Sequence, residues 1–291
     1  MNKILYKIAL ASLIIGASAS AERIASESFL NGGAGYNDTA NFAAAPNTTV
    51  LAGTTGFTNT AGKIWQCGTA TIRPRNYTGL THALVQGTTE NGLVFAIPAN
   101  DTKEVKSAQG RGSKRVLAAA PAGSSFYMSG LVSLGGSLAN LDASESVAMG
   151  LNNSFVNLTW NVGLGMHLGL TRNSAGDVYL AAFAAGNTYT LGSKLTLAQA
   201  AETQMIVLKL DIDTSGNNDT LTAWIAQQGS TNLTEVLSQT GFDTGVTSDL
   251  SAFVVQSVGN PANTLAPGAK LDEFRFGTTL QDVTIAAIPS K

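Results

Sequence analysis

The sequence predicts an all-β fold, a sandwich of two antiparallel sheets with at most one or two short helices. Charged residues make up only 12% of the 291 residues, glycines number 31, and short apolar or alternating segments recur between turn residues. An average globular domain has about 25% charged residues. Short strands that alternate with turn signals along the whole chain are typical of a sandwich.

The strands are predicted from these alternating segments, and one helix is predicted from its capping residues. The strand segments are 24–29, 92–97, 115–119, 125–134, 146–151, 165–171, 178–183, 205–213, 220–226, 251–258 and 269–276. Thr196 and Gln199 have capping-box spacing before Ala-rich sequence, which predicts a helix of one or two turns at 196–202.

A hairpin is predicted at 205–225. If Asp213 pairs with Thr220, one face is entirely apolar, with facing pairs Ile212 and Leu221, Leu210 and Ala223, and Leu208 and Ile225. The other face then carries Asp211 and places Lys209 opposite Trp224. A slip of one residue would turn an apolar row outward, so the parity is strongly specified, whereas the exact pairs can shift by two.

The first 21 residues predict export. Lys3 and Lys7 precede an apolar run at 8–15, and Ala19-Ser20-Ala21 forms a cleavage site, as in a secretory signal peptide. The mature chain is then 22–291, which we predict to be one domain in the periplasm or outside the cell. No later segment has the roughly 20 apolar residues that a membrane-spanning helix needs.

Charge and cysteine content exclude several classes of partner and site. A net charge of -2 argues against binding to nucleic acid, which requires clustered Lys and Arg. The one basic stretch, 103–115, is interrupted by Glu104 and glycines and is predicted to be a solvated loop. Cys67 is the only cysteine, so an internal disulfide and a cysteine-based zinc site are both excluded. The sequence carries no signal for an oligomeric state.

Several motifs carry a family resemblance. In order they are ESF at 27–29, GTTGF at 53–57 followed by Trp65, SFYMSGLVS at 125–133, the hairpin at 207–225, and LDEFRFGTTLQDVT at 271–284. The chain resembles secreted bacterial proteins with a concanavalin A-like, laminin-G-like (LamG-like) jelly roll, many of which carry a PEP-CTERM sorting signal. After Val283 it reads TIAAIPSK, without the Pro-Glu-Pro motif, apolar helix and basic tail of that signal. The resemblance implies two stacked sheets in which the segment after the signal peptide pairs beside the last strand.

Asp272 lies on the wrong face of its predicted strand for a charged residue. Phe274 and Phe276 share one face, which places Asp272 on the apolar side and Leu271 on the polar side. Leu271 and Phe274 both face the core only if the register breaks between them. We therefore predict a bulge, with the Asp272 carboxylate accepting backbone N–H groups at the sheet rim.

Signals for catalysis are weak. Glycoside hydrolases on related jelly rolls place carboxylates close together along one strand, as in E-x-D-x-x-E, and no such run occurs here. Asp142 and Glu145 have a suggestive spacing but lie among small turn residues. The two histidines, His82 and His167, lie near no G-x-S-x-G motif, and His167 is expected to be a structural histidine.

A calcium site is a separate alternative, and no other cofactor is predicted. Residues 211–219 copy the first half of an EF-hand loop, but position twelve is Thr222 where a bidentate Glu is required, and no helices flank the loop. The match is interpreted as a polar hairpin turn. A looser calcium site formed by Asp213, Asn217 and Asp219 stays open as the alternative.

Trp224, with Lys209 and Asp211 beside it, is the best candidate for a ligand-binding platform, because sugar sites combine an aromatic ring with polar groups. The alternative is that Trp224 packs under a neighbouring loop or on the Lys209 stem. We therefore expect a secreted, non-catalytic binding or structural module that recognises polysaccharide or a cell-envelope partner. The alternative function is a divergent polysaccharide-active enzyme, a glycoside hydrolase or lyase, on the same fold.

Overall fold

The protein is described by a computed structural model over residues 23–27, 54–58, 66–67, 75–76, 79–85, 93–96, 111–138, 141, 146–152, 165–244, 250–258 and 269–284. The predicted signal peptide at 1–21 and the residues Trp65, Trp160, Asp142 and Glu145 lie outside these ranges. Within them, no helix is long and apolar enough to cross a bilayer.

The described strands form two antiparallel sheets. Sheet A contains β1 (Arg23–Glu27), β2 (Thr54–Thr55), β4 (Arg75–Asn76), β5 (Leu93–Ala96), β7 (Ser125–Ser133), β12 (Gln204–Asp211), β13 (Asp219–Ala226), β14 (Thr234–Phe242) and β16 (Lys270–Gly277). Sheet B contains β3 (Gln66–Cys67), β6 (Arg111–Val116), β8 (Ser146–Asn152), β9 (Met166–Arg172), β10 (Val178–Ala184), β11 (Asn187–Leu191) and β15 (Ala252–Val258).

The chain crosses between the sheets repeatedly. It passes from β6 in sheet B to β7 in sheet A and back to β8, and later from β14 to β15 to β16. The main strand orders are β14-β13-β12-β7-β16-β1-β2 in sheet A and β11-β10-β9-β8-β15-β6-β3 in sheet B. The prediction of an all-β jelly-roll sandwich with two antiparallel sheets and short helices is therefore confirmed. The predicted pairing of the first segment with the last strand is also confirmed, by β1 and β16.

The core lies between the sheets because each strand turns its apolar row inward. Phe126 and Met128 of β7 and Leu168 of β9 are fully buried in one continuous apolar cluster. Phe253 of β15 stacks on Phe274 of β16, with ring centroids 4.1 Å apart, and so joins the two sheets. Burying a side chain of this size contributes about 2 to 3 kcal/mol.

The central hairpin has the predicted parity and a different register. Leu208, Leu210, Leu221 and Ala223 are all fully buried on the core side. Asp211, not Asp213, pairs with Thr220. The predicted partner pairs are therefore wrong by two residues, and the turn is correspondingly longer.

Two short helices flank the strands. Helix α1 (Leu197–Ala201) begins with the predicted capping box, in which Thr196 and Gln199 exchange hydrogen bonds. Helix α2 (Leu280–Val283) follows the last strand and was not predicted. The Asp282 carboxylate accepts the backbone N–H groups of Thr278 and Thr279, which fixes the entry to α2.

Part of the predicted solvated loop at 103–115 is a strand. Lys114 and Arg115 lie in β6 and are only 6% and 2% exposed, so the prediction is wrong at that end, while 103–110 lie outside the described residues. The Arg115 guanidinium forms an ion pair with Glu27 of the opposite sheet. A buried carboxylate on β1 thus explains why a charged residue enters the sandwich.

Candidate ligand-binding face

Lys209 and Asp211 lie on the outer face of sheet A, away from the core. They are two residues apart on β12, so both side chains point to the same side of the strand. The Lys209 Nζ lies 2.7 Å from the Asp211 Oδ2, and the side chains are 28% and 40% exposed. The structure therefore brings these two predicted site residues together as an accessible, charge-balanced pair.

Cross-strand pairing extends this pair into two polar rows that cross strands β7, β12, β13 and β14. The rows are Tyr127, Lys209, Thr222 and Ser238, and Ser125, Asp211, Thr220 and Thr240. Ser238 and Thr240 are exposed and the other six are half-buried. We call these eight side chains the polar face. Three strand spacings of about 4.8 Å give it a width of about 14 Å.

Tyr127 adds an aromatic ring to the polar face. The Lys209 Nζ lies 5.9 Å from the centre of the Tyr127 ring. Burial raises the pKa of the Tyr127 phenol, the Lys209 ammonium opposes this shift and the Asp211 carboxylate adds to it. The phenol therefore keeps its proton at neutral pH and is able to donate a hydrogen bond. Sequence reasoning missed Tyr127. Strand parity at 125–133 could have found it, because Tyr127 points to the face of the strand opposite to that of the apolar Phe126 and Met128.

Trp224 lies in the row next to the polar face, but its indole is covered. It pairs with Val207, while Lys209 pairs with Thr222, so the predicted facing of Lys209 and Trp224 is wrong. Trp224 is only 7% exposed and belongs to an outer apolar cluster. The members of this outer cluster are Leu84, Val85, Leu131, Met205, Val207, Trp224, Ala226, Leu233, Leu280 and Val283, with Leu80 and Tyr127 packed against it. The indole is therefore packed in an apolar cluster to which Leu84 and Val85 contribute from a loop.

Residues 79–85, which we call the cover segment, supply part of the outer cluster from a distant region of the chain. The backbone N–H of Leu80 donates to the Asp272 Oδ2 at 2.9 Å. The backbone N–H of Leu84 donates to the His82 Nδ1 at 3.2 Å, and the His82 Nε2 bonds the Gln227 carbonyl at 2.8 Å. Thr284, just after α2, donates its hydroxyl to the Leu84 carbonyl. The bonds to Asp272, Gln227 and Thr284 tie the cover segment to β16, to the end of β13 and to the residue after α2, whereas the Leu84–His82 bond is internal to the segment.

Asp272 has the structural role that the sequence predicted. The pairing of β16 with β7 shifts between Asp272 and Arg275, which is the predicted bulge. The Asp272 carboxylate accepts the backbone N–H groups of Leu80 and Glu273, each at 2.9 Å. Burial, followed by the nearby Glu273 carboxylate, raises the pKa of Asp272 well above its usual value. Glu273 itself has φ 51, a conformation that non-glycine residues rarely adopt.

The carboxylates of the loop 213–219 accept backbone N–H groups of the loop itself and of Thr244. The Asp219 Oδ1 accepts the backbone N–H of Asp213 at 2.8 Å, and its Oδ2 accepts the backbone N–H of Thr244 at 2.7 Å. The Asp213 Oδ1 accepts the backbone N–H of Ser215. In the part of the chain that the structure describes, no three His, Cys, Asp or Glu side chains are grouped as metal ligands would be. The calcium site at Asp213, Asn217 and Asp219 stays a prediction.

The two histidines lie far apart in the fold and neither belongs to a nucleophile–base pair in the described residues. His82 is 7% exposed in the cover segment, whereas His167 lies on β9, fully buried, paired with Gly150 and Phe183. Burial lowers the pKa of His167 to about 3. A histidine that stays neutral over the physiological range fits the structural role that the sequence predicted.

No protein-family model matches the sequence, and no curated protein matches it. Among solved structures, the chain is similar to an alginate lyase from Aplysia kurodai, with 12% identity, a TM-score of 0.45, and 67% of this chain and 85% of that one covered. It is also similar to an endo-1,3-beta-glucanase from Streptomyces sioyaensis, with 11% identity, a TM-score of 0.44, and coverage of 89% and 96%.

A third similar structure is the exoplasmic/lumenal domain of VIP36 in a form bound to calcium and Man2, with 9% identity and a TM-score of 0.43. Here 76% of this chain and 83% of that domain are covered. Likeness at this level identifies neither a ligand nor an activity, so the functional argument depends on the residues of this chain.

Proposed function

We propose that this protein is an exported, non-catalytic module that binds a polysaccharide or a polysaccharide-like component of the cell envelope through the polar face. Lys209 and Asp211 make the first contacts, and Trp224 lies at the margin of the same site. The module is one domain, 22–291, released by cleavage of the signal peptide. These assignments deepen the sequence-based expectation by adding Tyr127 and the hydroxyl rows.

The observation that carries the proposal is the composition of the two cross-strand rows. Beside the Lys209–Asp211 pair they contain one phenol and five aliphatic hydroxyls, on strands β7, β12, β13 and β14. Hydroxyl groups both donate and accept, and so does the hydroxyl-covered surface of a sugar chain. A face on rigid strands also holds these groups without ordering a loop on binding, which lowers the entropic cost.

Charge favours a neutral glycan over a polyanion. Lys209 is paired with Asp211 at 2.7 Å, so the polar face presents one positive and one negative charge. The whole chain has a formal net charge of -2. A polyanionic partner would gain from clustered cations, and the polar face offers a single ammonium that is already matched.

The alternative, a polysaccharide-active enzyme, receives less support from the described carboxylates. Those that are buried are Glu27, Asp219, Asp272, Glu273 and Asp282. Each bonds a backbone N–H or a guanidinium that belongs to the fold itself. Acid–base catalysis on a glycoside needs two carboxyl groups that flank the scissile bond, about 5 to 9.5 Å apart, with access to substrate.

A glycan array probed with the mature chain tests the proposal. We expect binding to one or more neutral polysaccharides, and loss of that signal in the double variant Lys209→Ala/Asp211→Ala. The matched control is Lys194→Ala/Asp177→Ala, which removes another exposed ion pair, at 3.1 Å, away from the polar face. Equal loss in both variants, or no binding at all, would overturn the proposal. New reducing ends or unsaturated products from a bound glycan would establish the enzyme instead.

A further inference from the structure

Strand β1 begins almost directly after the predicted cleavage site. Cleavage is predicted after Ala21, and the strand begins at Arg23, so Glu22 alone lies between them. A fully extended chain spans at most about 3.6 Å per residue, so the Ala21–Glu22 bond lies within about 7 Å of the first residue of β1. Pairing of β1 therefore holds this bond close to sheet A.

β1 is an interior strand of sheet A. It lies between β16 and β2 in the strand order. Ser26, for example, pairs with Arg275 on one side and with Thr55 on the other. A peptidase that binds its substrate as an added strand needs the backbone N–H and C=O groups of that substrate. In β1 the two neighbouring strands already use them.

The first residues of β1 are enclosed as well. Arg23 pairs with Gly277, and its Nε donates to the backbone carbonyl of Asp282 at 2.8 Å. Position 56 must be glycine, because a Cβ there would lie 1.9 Å from the carbonyl oxygen of Ile24. The backbone is therefore packed up to the residue that follows Glu22.

Burial resists the opening of β1. Ala25 and Glu27 are fully buried, and Ser26 is 7% exposed. The Glu27 carboxylate forms an ion pair with the Arg115 guanidinium of sheet B. Withdrawal of β1 would leave that buried guanidinium without this carboxylate, which is strongly unfavourable. The strand therefore opens rarely once the sandwich has formed.

The main partner of β1 lies at the other end of the described chain. β16 is the last strand, at Lys270–Gly277. A chain that is exported from its N-terminus presents β1 first and β16 last. The bond between Ala21 and Glu22 is thus accessible while β16 is absent, and it becomes enclosed when the two strands pair.

We propose that pairing of β1 with β16 protects the Ala21–Glu22 bond from signal peptidase, so that cleavage has to precede the closing of sheet A. Hydrolysis adds one water across this bond and leaves a carboxylate on Ala21 and an ammonium on Glu22. The proposal rests on the export and cleavage that belong to the proposed function, and it is independent of the glycan.

A chain that folds before it is cleaved stays attached to its signal peptide. The apolar run of that peptide ends at Ile15, eight residues before Arg23. An extended segment of this length holds the folded domain within about 28 Å of the apolar run. Cleavage then proceeds only through transient opening of β1, at a rate that follows the population of the open form.

The decisive experiment incubates the folded precursor, residues 1–291 in detergent, with purified signal peptidase. The reference is a peptide of residues 1–30, which has the same bond and no sheet. We expect the folded precursor to be cleaved at least about tenfold more slowly than the peptide. N-terminal sequencing of the products should begin at Glu22, and hydrogen exchange of β1 amides verifies that the precursor is folded.

A linker variant separates local protection from other causes. An insert of about eight Gly and Ser residues between Glu22 and Arg23 moves the bond away from the sheet by about 15 Å on average and leaves β1 unchanged. We expect this insert to restore rapid cleavage of the folded precursor. The matched control places the same insert between Gly216 and Asn217, two exposed residues of the loop 213–219, and should leave the precursor resistant.

Each other outcome has a distinct meaning. Equal cleavage of the unmodified folded precursor and the linker variant would overturn the proposal and leave the cleavage site intact. Equal rescue by the insert at 216–217 would contradict local protection by β1. If neither the peptide nor the linker variant is cleaved after Ala21 by an enzyme that cleaves a model substrate, the cleavage site is wrong, and the export part of the proposed function falls with this proposal.

Discussion

The Asp272 carboxylate accepts the backbone N–H of Leu80 at 2.9 Å, although 192 residues separate them in the sequence. Asp272 lies at the bulge of the last strand, and Leu80 begins the cover segment. One buried side chain therefore accepts the N–H of Glu273 at the bulge of β16 and the N–H of Leu80 at the start of the cover segment.

Asp272→Ala should destabilise the fold by about 2 kcal/mol, because the partly buried N–H of Leu80 and the buried N–H of Glu273 both lose their acceptor. Part of the cost is offset, since the buried carboxylate is itself expensive to desolvate. Urea unfolding measures the change. Asp211→Ala, which removes an exposed carboxylate from the same sheet, should stay within about 0.5 kcal/mol of the wild type. An unchanged urea midpoint for Asp272→Ala would refute its structural role.

The loop 213–219 should be independent of calcium. Both oxygens of Asp219 already accept backbone N–H groups, and Thr244 also donates its hydroxyl to Oδ2. EDTA should therefore leave Tm unchanged, and Asp219→Ala should lower the stability by about 2 kcal/mol with or without added calcium. A fall in Tm on adding EDTA, restored by calcium, would support the open alternative of a metal site.

The turn between β10 and β11 should accept a stabilising substitution. Ala185 and Gly186 have φ values of 48 and 78, and Ala184 pairs with Asn187, so the two central residues form a type I′ turn. Alanine is strained there, whereas asparagine tolerates positive φ. Ala185→Asn should stabilise the protein by about 0.5 to 1 kcal/mol in thermal unfolding. Ala185→Val should have the opposite effect, and stabilisation by valine would show that the turn is of another type.

Acid should destabilise the protein through His167. The unfolded chain binds a proton there below pH 6.5, whereas the folded chain excludes it until about pH 3. Stability is therefore complete above pH 6.5 and falls as the pH is lowered, by about 1.4 kcal/mol per pH unit for this histidine. Urea unfolding at several pH values measures the slope. His167→Gln should reduce the slope by one proton, and an unchanged slope would contradict the pKa of about 3.

Local patterns in the sequence predicted much of the sandwich, because the face to which a strand residue points follows from the alternation of apolar and polar residues next to it in the sequence. The inward rows of the hairpin and the bulge at Asp272 followed from parity alone. The register of the hairpin did not, because Asp213 leaves the strand to accept the N–H of Ser215 and to donate its own N–H to Asp219. Side-chain bonds of this kind compete with strand pairing.

The position of the cover segment on sheet A was beyond sequence reasoning for a related reason. Its bonds join residues 80 to 84 with Asp272, Gln227 and Thr284, and no periodicity in the sequence links these regions. Strand β14 was missed because its side chains are mostly exposed or half-buried, so it lacks a regular apolar row. Strand β11 was missed because Ala185-Gly186 is a weaker hairpin signal than Asn-Gly would be.

The dissociation constant of a glycan for the mature chain and its two double variants tests the central claim most directly. Calorimetry with a glycan found on the array should give binding at least about tenfold weaker for Lys209→Ala/Asp211→Ala, which is about 1.4 kcal/mol. Lys194→Ala/Asp177→Ala should bind within about twofold of the wild type, because that exposed pair lies off the polar face. Equal affinity in all three proteins would contradict the polar face as the binding site.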